Sequence, residues 1–425
     1  MRYYRQHHFL PQLNKFRHRM QTWGDDGNIV EPELKEGESK AVPLYHDEMC
    51  INSNDSSSYF YVHDSEEQTT KAFTRGSSVM VSGIFCPCHG FVEVDGKRSY
   101  TTLEIGKGKE GYYDANMFCK DITELLPLFR TIHPDAELVL LLDNSSGHQA
   151  RAKDALWAKN LRFNDGFKGK STTFMRDTSF VCRNTGAIIQ QSMRNANGQQ
   201  KGVKTLLQDR DMWETMSQTP GVKYKDLKHR CSVCKRGRNA DPQDKKGKAI
   251  DCCLEFVLSR QPDFAATKPR IMEEVDKLND KKIFILFLPK FHCELNPIEL
   301  IWAHIKNHFR RNCKFDFTLL KEELPIFMNN IDVTIFQKCY MHSNKYVDAY
   351  SRNIEGQLLI YVMRKQRGHR KLPQGEELER ILQQFRDQQL AARVGRNAAV
   401  PMAVVEMPEP EVRLRLTACS PPCVY

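Results

Sequence analysis

Two short runs of this chain are apolar from end to end: Leu138–Leu142 (Leu-Val-Leu-Leu-Leu) and Ile283–Leu288 (Ile-Phe-Ile-Leu-Phe-Leu). Both have the length of a strand. Neither alternates apolar with polar residues, so each reads as a strand covered on both faces, in the middle of a sheet. The elements around them complete the pattern. Ala41–Asn52 reads as a strand entering a turn at Asn52-Ser-Asn-Asp, and Ser78–Phe85 as a second strand. Gly90–Val94 is predicted as a third, closing a hairpin through Cys86-Pro-Cys-His-Gly. Asp114–His133 has helical periodicity, with Met117, Ile122, Leu125, Leu126 and Phe129 on one side. A helix is expected near Gln149, after the first apolar strand. Pro289–Leu295 is expected as a loop, with a helix from Pro297 to about Arg311 after it. Three antiparallel strands, helix, strand, helix, insertion, strand, helix: this order predicts an α/β domain with a mixed sheet flanked by helices.

The bulk properties set limits. Of the 425 residues 40% are hydrophobic, enough for a substantial core. No apolar run approaches the ~18–20 residues of a membrane span, so no membrane association is expected. The opening residues show no secretory apolar region, and 14 cysteines without one point to a reducing compartment where some thiols bind metal. A net charge of +10 favours an anionic partner. Residues 1–40 read as a short helix (Gln6–Trp23) and a linker, residues 41–345 as the main domain with an insertion at about 150–282, and residues 346–425 as a polar tail. The tail carries a helix over Gly375–Val394 and a Pro-rich end, Pro401–Tyr425.

Three acidic residues fall at the ends of expected elements: Asp47 in the first strand, Asp143 closing the central strand, and Glu299 in the first turn of the helix after Pro297. Sites in layered α/β domains form at one edge of the sheet. Carboxylate oxygens suit hard divalent cations, and two such ions can flank a phosphodiester. Each acid also has a bland reading. Asp143 serves as a turn residue, Asp47 as a solvated edge position, and Glu299 as part of a capping box with Asn296 as N-cap and Pro297 at the first helical position. Ile298, Ile301, Trp302, Ile305 and Phe309 form the apolar face of that helix, and Glu299 shares its flank with Ala303, Lys306 and Arg310. That flank reads either as a charged solvated surface or as a metal site beside a phosphate track.

Phe287-Leu-Pro-Lys-Phe-His-Cys-Glu-Leu-Asn-Pro-Ile-Glu-Leu-Ile-Trp302 resembles the third catalytic block of Tc1/mariner-like DDE transposases. Leu141-Leu-Asp-Asn-Ser-Ser-Gly-His148 is similar to the second block, and Leu44-Tyr-His-Asp-Glu48 with Val79-Met-Val-Ser-Gly83 to the first block and the strand after it. The resemblance covers roughly residues 40–345. It implies an RNase H-like fold in which Asp47, Asp143 and Glu299 hold two Mg²⁺ (or Mn²⁺) ions and support DNA cleavage and transfer of the freed 3′-OH. Asn144 and His148 would support the second block, Lys306 and Arg310 would contact DNA, and a homodimer is the assembly to look for. Two departures stand out. Asp143 and Glu299 are 156 residues apart, which requires the insertion. The residues before Asp47 are too few for the family's helix-turn-helix modules, so sequence-specific readout is not expected from them. The alternative is a host-retained, non-catalytic DNA-binding protein on the same fold; an RNase H-type nuclease acting on RNA fits the carboxylates but not the Asn-Pro-Ile-Glu block.

The insertion is basic: residues 201–248 hold 13 Lys/Arg against 6 Asp/Glu, a net of +7. Within it Cys231-Ser-Val-Cys234 is followed by Cys252-Cys253, a spacing that suits a structural zinc ion as well as it suits buried thiols. Cys86-Pro-Cys88-His89 reads as a hairpin turn with incidental thiols. Arg364-Lys-Gln-Arg-Gly-His-Arg-Lys371 reads as a nuclear import signal or a solvated basic face.

Overall fold

The computed structural model describes residues 2–56, 74–106, 109–111, 113–235, 251–366 and 371–397. The expected basic stretch beyond residue 235, much of the 364–371 run and the Pro-rich end lie outside the described residues. Two compact units are present: one spans Met1–Arg352 with Gly368–Lys371, the other Asn353–Arg367 with Leu372–Tyr425.

The first unit is built on a five-stranded mixed sheet. Its strands are β1 (Ala41–Asn52), β2 (Ser78–Phe85), β3 (Tyr100–Ile105), β4 (Glu137–Leu142) and β5 (Ile283–Phe287), in the spatial order β5-β4-β1-β2-β3. β1, β4 and β5 run parallel; β2 and β3 continue the sheet antiparallel. The chain is therefore an α/β protein with an RNase H-like sheet. The two apolar runs lie side by side, Leu138 to Leu142 opposite Ile283 to Phe287, but only the first is central: Ile283–Phe287 forms the edge strand, and of its residues Leu286 alone is buried.

One face of the sheet is covered by α1 (Ala115–Ile132) and α2 (Arg270–Asp276). Helix α1 starts where the Asp114 carboxylate accepts the Asn116 and Met117 backbone N–H groups, two donors that have no partner in the helix itself. Phe118, Ile122, Leu125, Leu126 and Phe129 then repeat at helical spacing and pack on Val42, Leu44, Ile84, Leu138, Leu140 and Leu142. The opposite face carries α3 (Ile298–Arg311), α4 (Phe317–Asn329) and α5 (Val333–Ser351). There Tyr45, Phe85, Phe91, Trp302, Phe336 and Tyr340 interlock, with Phe91 stacked on Trp302 at 5.6 Å and Phe85 tilted against Phe336 at 5.2 Å. Gly83 is the floor beneath Trp302: a Cβ there would lie 3.2 Å from the indole, so a larger residue would have to push the ring away.

Several expectations are corrected. The antiparallel partner of β2 is Tyr100–Ile105, not Gly90–Val94. The chain turns at Cys86–Gly90, and Glu93–Val94 pairs with Lys97–Arg98 in a small hairpin of its own before pairing with β2 resumes. No helix begins near Gln149. The segment is a loop fixed by Arg151, which donates to the Leu156 carbonyl, and by the Arg176 N–H on the Asp154 carbonyl. The lead-in is not a free linker: it is helical from Arg2 to Arg17, with Leu10, Leu13 and Phe16 buried and Phe16 against Phe284 of β5. Its helix stops short of Trp23, because Thr22–Trp23 pairs with Ile29–Val30. The insertion ends before residue 270, since α2 belongs to the sheet. It has a core of its own, in which Leu156, Met193, Leu206, Leu207, Leu254 and Leu258 are buried together. The first unit continues to Arg352, because α5 runs through the expected boundary at residue 345.

The second unit contains α6 (Gly356–Lys365) and α7 (Gly375–Asn397), whose Tyr361 and Phe385 rings meet at 5.3 Å. Among the described residues no helix is long and apolar enough to cross a membrane.

Leu140 is wholly buried while Ile188 is 72% exposed. Leu140→Ala should therefore lower the unfolding free energy by about 2–5 kcal/mol. Ile188→Ala should change it by less than about 0.5 kcal/mol. Urea denaturation followed by circular dichroism compares them; equal shifts would place the core elsewhere.

Candidate active site

Parallel pairing of β1 with β4 ends at Tyr45 and Leu141. Asp47 and Asp143 each lie two residues beyond that last pair, on the face that also carries α3. Glu299 stands in the first turn of α3, one turn before Trp302, whose indole covers Gly83, the β2 partner of Asp47. The three acids thus arrive from a strand, a loop and a helix at one edge of the sheet.

A side-chain bond places the start of α3. The capping box expected from Asn-Pro-Ile-Glu does not form: Pro297 is the N-cap residue, and no side chain accepts from the first turn. Instead the Asn296 amide, buried, donates to the His46 carbonyl at 3.3 Å. That bond ties the residue before Pro297 to the residue before Asp47. Capping therefore does not account for Glu299, and Asn296 holds the helix against the strand.

Burial and neighbouring charges shift the carboxyl groups at this edge. Burial raises the Asp47 carboxyl well above the usual range, and the charges of Glu299, Glu48 and Asp143 add to the effect. Glu299 is also raised by burial; Lys306 opposes this, while Asp143 and Glu48 reinforce it. Asp143 goes the other way. Its burial is outweighed by His148, which holds the carboxyl below its ordinary range. Glu48 is lowered by the same imidazole. His148 is 4% exposed and lies between the two, with Nδ1 against the Asp143 carboxylate and Nε2 3.1 Å from Glu48 Oε1. Burial alone would discharge the ring, but the two carboxylates lift its pKa to about 10. Phe118 stacks on the imidazole at 4.1 Å and fixes its plane.

Sequence reasoning missed Glu48 and His46. Their side chains alternate with Asp47 along β1, so they serve the opposite face, where His46, Glu48 and His148 bring three donor atoms within 4.8 Å of one another. His46 contacts Ser82 Oγ at 3.0 Å, and the chain of contacts runs on through Tyr113 to Asp121. Burial lowers its pKa to about 4, leaving a neutral ring. The available signal was strand alternation itself, which gives His46 and Glu48 to one face and Asp47 to the other. Asn144 sits partly buried in the loop after β4. Lys306 is close enough to act on Glu299, and Arg310 is bound to Asp55, Nε to Oδ2 at 3.0 Å.

The four insertion cysteines come together. Cys231, Cys234, Cys252 and Cys253 place their sulfurs within 4.8 Å of one another, and the separations among Cys234, Cys252 and Cys253 are 3.6, 3.7 and 3.8 Å. Four thiolates around one zinc ion at ~2.3 Å require S–S distances of roughly 3.5–4 Å. Burial pushes the Cys234 thiol up to about 12.

No protein-family model matches the chain, and no curated protein does. Solved structures do. The chain is similar to a pre-cleavage Mos1 transpososome at 10% identity and a TM-score of 0.38, over 81% of this chain and 58% of that one. Similar values hold for the mariner Mos1 paired end complex with Mg (11%, TM-score 0.36, 73% and 56%) and the Mos1 strand transfer complex (10%, 0.35, 81% and 57%). These are structures of mariner transposases, the family that the sequence motifs resemble. The chain spans under three fifths of the length of the chains it matches.

Asn296→Ala leaves a buried carbonyl without this donor and should cost about 1–3 kcal/mol. Asn330→Ala, whose amide donates to an exposed backbone carbonyl on α4, should change stability by less than about 0.5 kcal/mol. Denaturation midpoints of the two variants decide it: a neutral Asn296→Ala would remove the strap.

Proposed function

We propose that this chain carries a DNA-cutting domain of the DDE transposase type, in which Asp47, Asp143 and Glu299 hold two divalent cations, Mg²⁺ or Mn²⁺. One observation carries the reading: three carboxylates from separate elements share one edge of the sheet, where burial and the charges of acidic neighbours raise the proton affinity of Asp47 and Glu299. Such a cluster is unfavourable without positive charge, and its oxygen donors suit a hard cation. When bound, two such ions activate the attacking oxygen and stabilise the leaving one at a phosphodiester. The residues of the chain supply the rest. Asn296 positions Glu299 against β1, and His148 orients Asp143 and Glu48. Lys306 presents positive charge beside Glu299, where a phosphate would lie. The net charge of +10 favours a polyanionic substrate.

A second reading has one observation in its favour. The imidazolium of His148 already neutralises Asp143 and Glu48, as a resident cation would. A non-catalytic DNA-binding protein on this fold would keep that arrangement and need no metal. Asp143→Asn separates the two. For the enzyme it abolishes Mg²⁺-dependent nicking of supercoiled DNA and the rise in melting temperature on adding Mn²⁺; losing the Asp143–His148 pair also lowers the metal-free melting temperature, so the Mn²⁺ effect is read against each variant's own metal-free value. If the natural chain neither nicks DNA nor gains stability from Mn²⁺, the second reading stands.

The same reading gives the insertion a structural zinc ion on Cys231, Cys234, Cys252 and Cys253. It puts the site of action in the nucleus, with Arg364–Lys371 as the import signal, and makes a homodimer the working assembly. DNA contacts from Lys306, Arg310 and the basic insertion address phosphates rather than bases. Binding should therefore be nearly independent of sequence, with Kd of roughly 10⁻⁴–10⁻⁶ M at physiological salt. Lys306→Gln should reduce the slope of log affinity against log salt by about 1. Fluorescence anisotropy with unrelated duplexes at several salt concentrations measures both; discrimination of about 10³-fold or more would reveal a base-reading element.

A further inference from the structure

Far from the carboxylates, the turn after β2 gathers a second group of soft donors. Cys86 ends the strand and is wholly buried; Cys88 and His89 follow within the turn that Gly90 closes. His133 arrives from the C-cap of α1, where the backbone leaves the helix with φ −124° and ψ 67°. Cys86 Sγ lies 3.5 Å from His89 Nδ1 and 3.7 Å from His133 Nε2, and the three donor atoms fall within 4.8 Å of one another. The Cys88 thiol is hydrogen-bonded to that of Cys86. Gly90 adopts φ +71°, and a Cβ there would strike the Phe336 ring at 2.6 Å, so the turn is held in this shape from outside.

We propose that Cys86, Cys88, His89 and His133 form a structural zinc site that clamps the turn after β2 to the C-terminal end of α1. Bond lengths of ~2.3 Å to sulfur and ~2.0–2.1 Å to nitrogen, at a tetrahedral angle, require S–N separations of about 3.6 Å. Both observed separations fall within 0.1 Å of that value. Hydrogen bonding is a poorer explanation. A thiol has one proton, and the Cys86 sulfur faces two imidazole nitrogens and a second thiol at once. A single cation satisfies the sulfur and both nitrogens; the Cys88 sulfur, hydrogen-bonded to that of Cys86 but outside this trio, would turn in as the fourth ligand. Two thiolates and two neutral imidazoles cancel the charge of Zn²⁺, which suits a site with a buried sulfur. Binding releases the two thiol protons. The four ligands fill the coordination shell, so the site is a staple.

The test is zinc stoichiometry by mass spectrometry on full-length protein purified without chelator. His89 is exposed and His133 half-exposed, so His89→Gln/His133→Gln leaves the core intact. The proposal expects the double variant to hold one zinc fewer than the natural chain. It also expects Cys231→Ser/Cys234→Ser to retain one zinc, whose Co²⁺ replacement shows sulfur-to-metal absorption of two thiolates rather than four. A natural chain with a single zinc that survives His89→Gln/His133→Gln and is lost in Cys231→Ser/Cys234→Ser would overturn this site and leave the insertion site standing. The opposite pattern would support it and remove the other. If the insertion variant fails to fold, zinc X-ray absorption on the natural chain and on His89→Gln/His133→Gln decides. Loss of nitrogen scattering in the variant supports the site, and identical spectra overturn it.

Discussion

The parallel pairing of β1 with β4 is the contact on which the rest of this structure depends. It joins strands separated by two others and a helix in sequence, so it forms only when α1 has folded back across the sheet. The driving force is burial: Leu44, Leu138, Leu140 and Leu142 lose all contact with water against Ile122, Leu126 and Phe129. Each such side chain contributes about 1.5–3 kcal/mol. The pairing stops at Tyr45 and Leu141. Where it stops, backbone groups turn to other partners: the His46 carbonyl to Asn296, and the Leu142 carbonyl to the Leu288 N–H. A sheet edge opened in this way is where functional residues collect.

That edge is an electrostatic problem that the fold solves only in part. Asp143 and Glu48 are balanced by His148. Lys306 opposes the charge of Glu299, while Asp47 feels burial and the charges of Glu299, Glu48 and Asp143, and both retain raised proton affinity. Strand alternation divides the acids between the faces, so His148 serves one side while the other remains electron-rich. On one face His148 pairs with Glu48 and Asp143; on the other Asp47 and Glu299 keep raised proton affinity.

The insertion solves a different problem. It must fold on a small core, and it does so with one buried ion pair beside its apolar cluster. The Arg210 guanidinium grips both oxygens of Asp263 at 3.0 and 2.7 Å, binds Gln191, and lies over the Phe180 and Phe264 rings. A planar fork suits such a site where a lysine would not. The four clustered thiols adjoin that apolar cluster, since Cys253 is wholly buried and directly precedes Leu254. The turn after β2 uses the same soft-donor chemistry at the opposite end of the sheet from the carboxylates.

The sequence by itself determined that Leu138–Leu142 is central, where α1 and α3 run, and which acids could meet. A run as apolar as Leu138–Leu142 suits a sheet interior, though the equally apolar Ile283–Phe287 takes the edge, and helical spacing marks a face whatever lies against it. The catalytic-block resemblance named Asp47, Asp143 and Glu299, and the Cys-x₂-Cys spacing named the insertion thiols. Tertiary structure alone decided the rest. Asn296 reads as a helix cap because capping is local, but its Oδ1 accepts nothing from the first turn of α3, while its side-chain NH2 donates to the His46 carbonyl of β1. Gly90–Val94 has strand composition, yet Tyr100–Ile105 takes the place beside β2 because the intervening residues close a hairpin of their own. Glu48 was invisible as a partner of His148, one hundred positions away, and Cys86 as a neighbour of His133. Contacts of that range leave no periodic trace in a chain, since their geometry exists only after the sheet has formed.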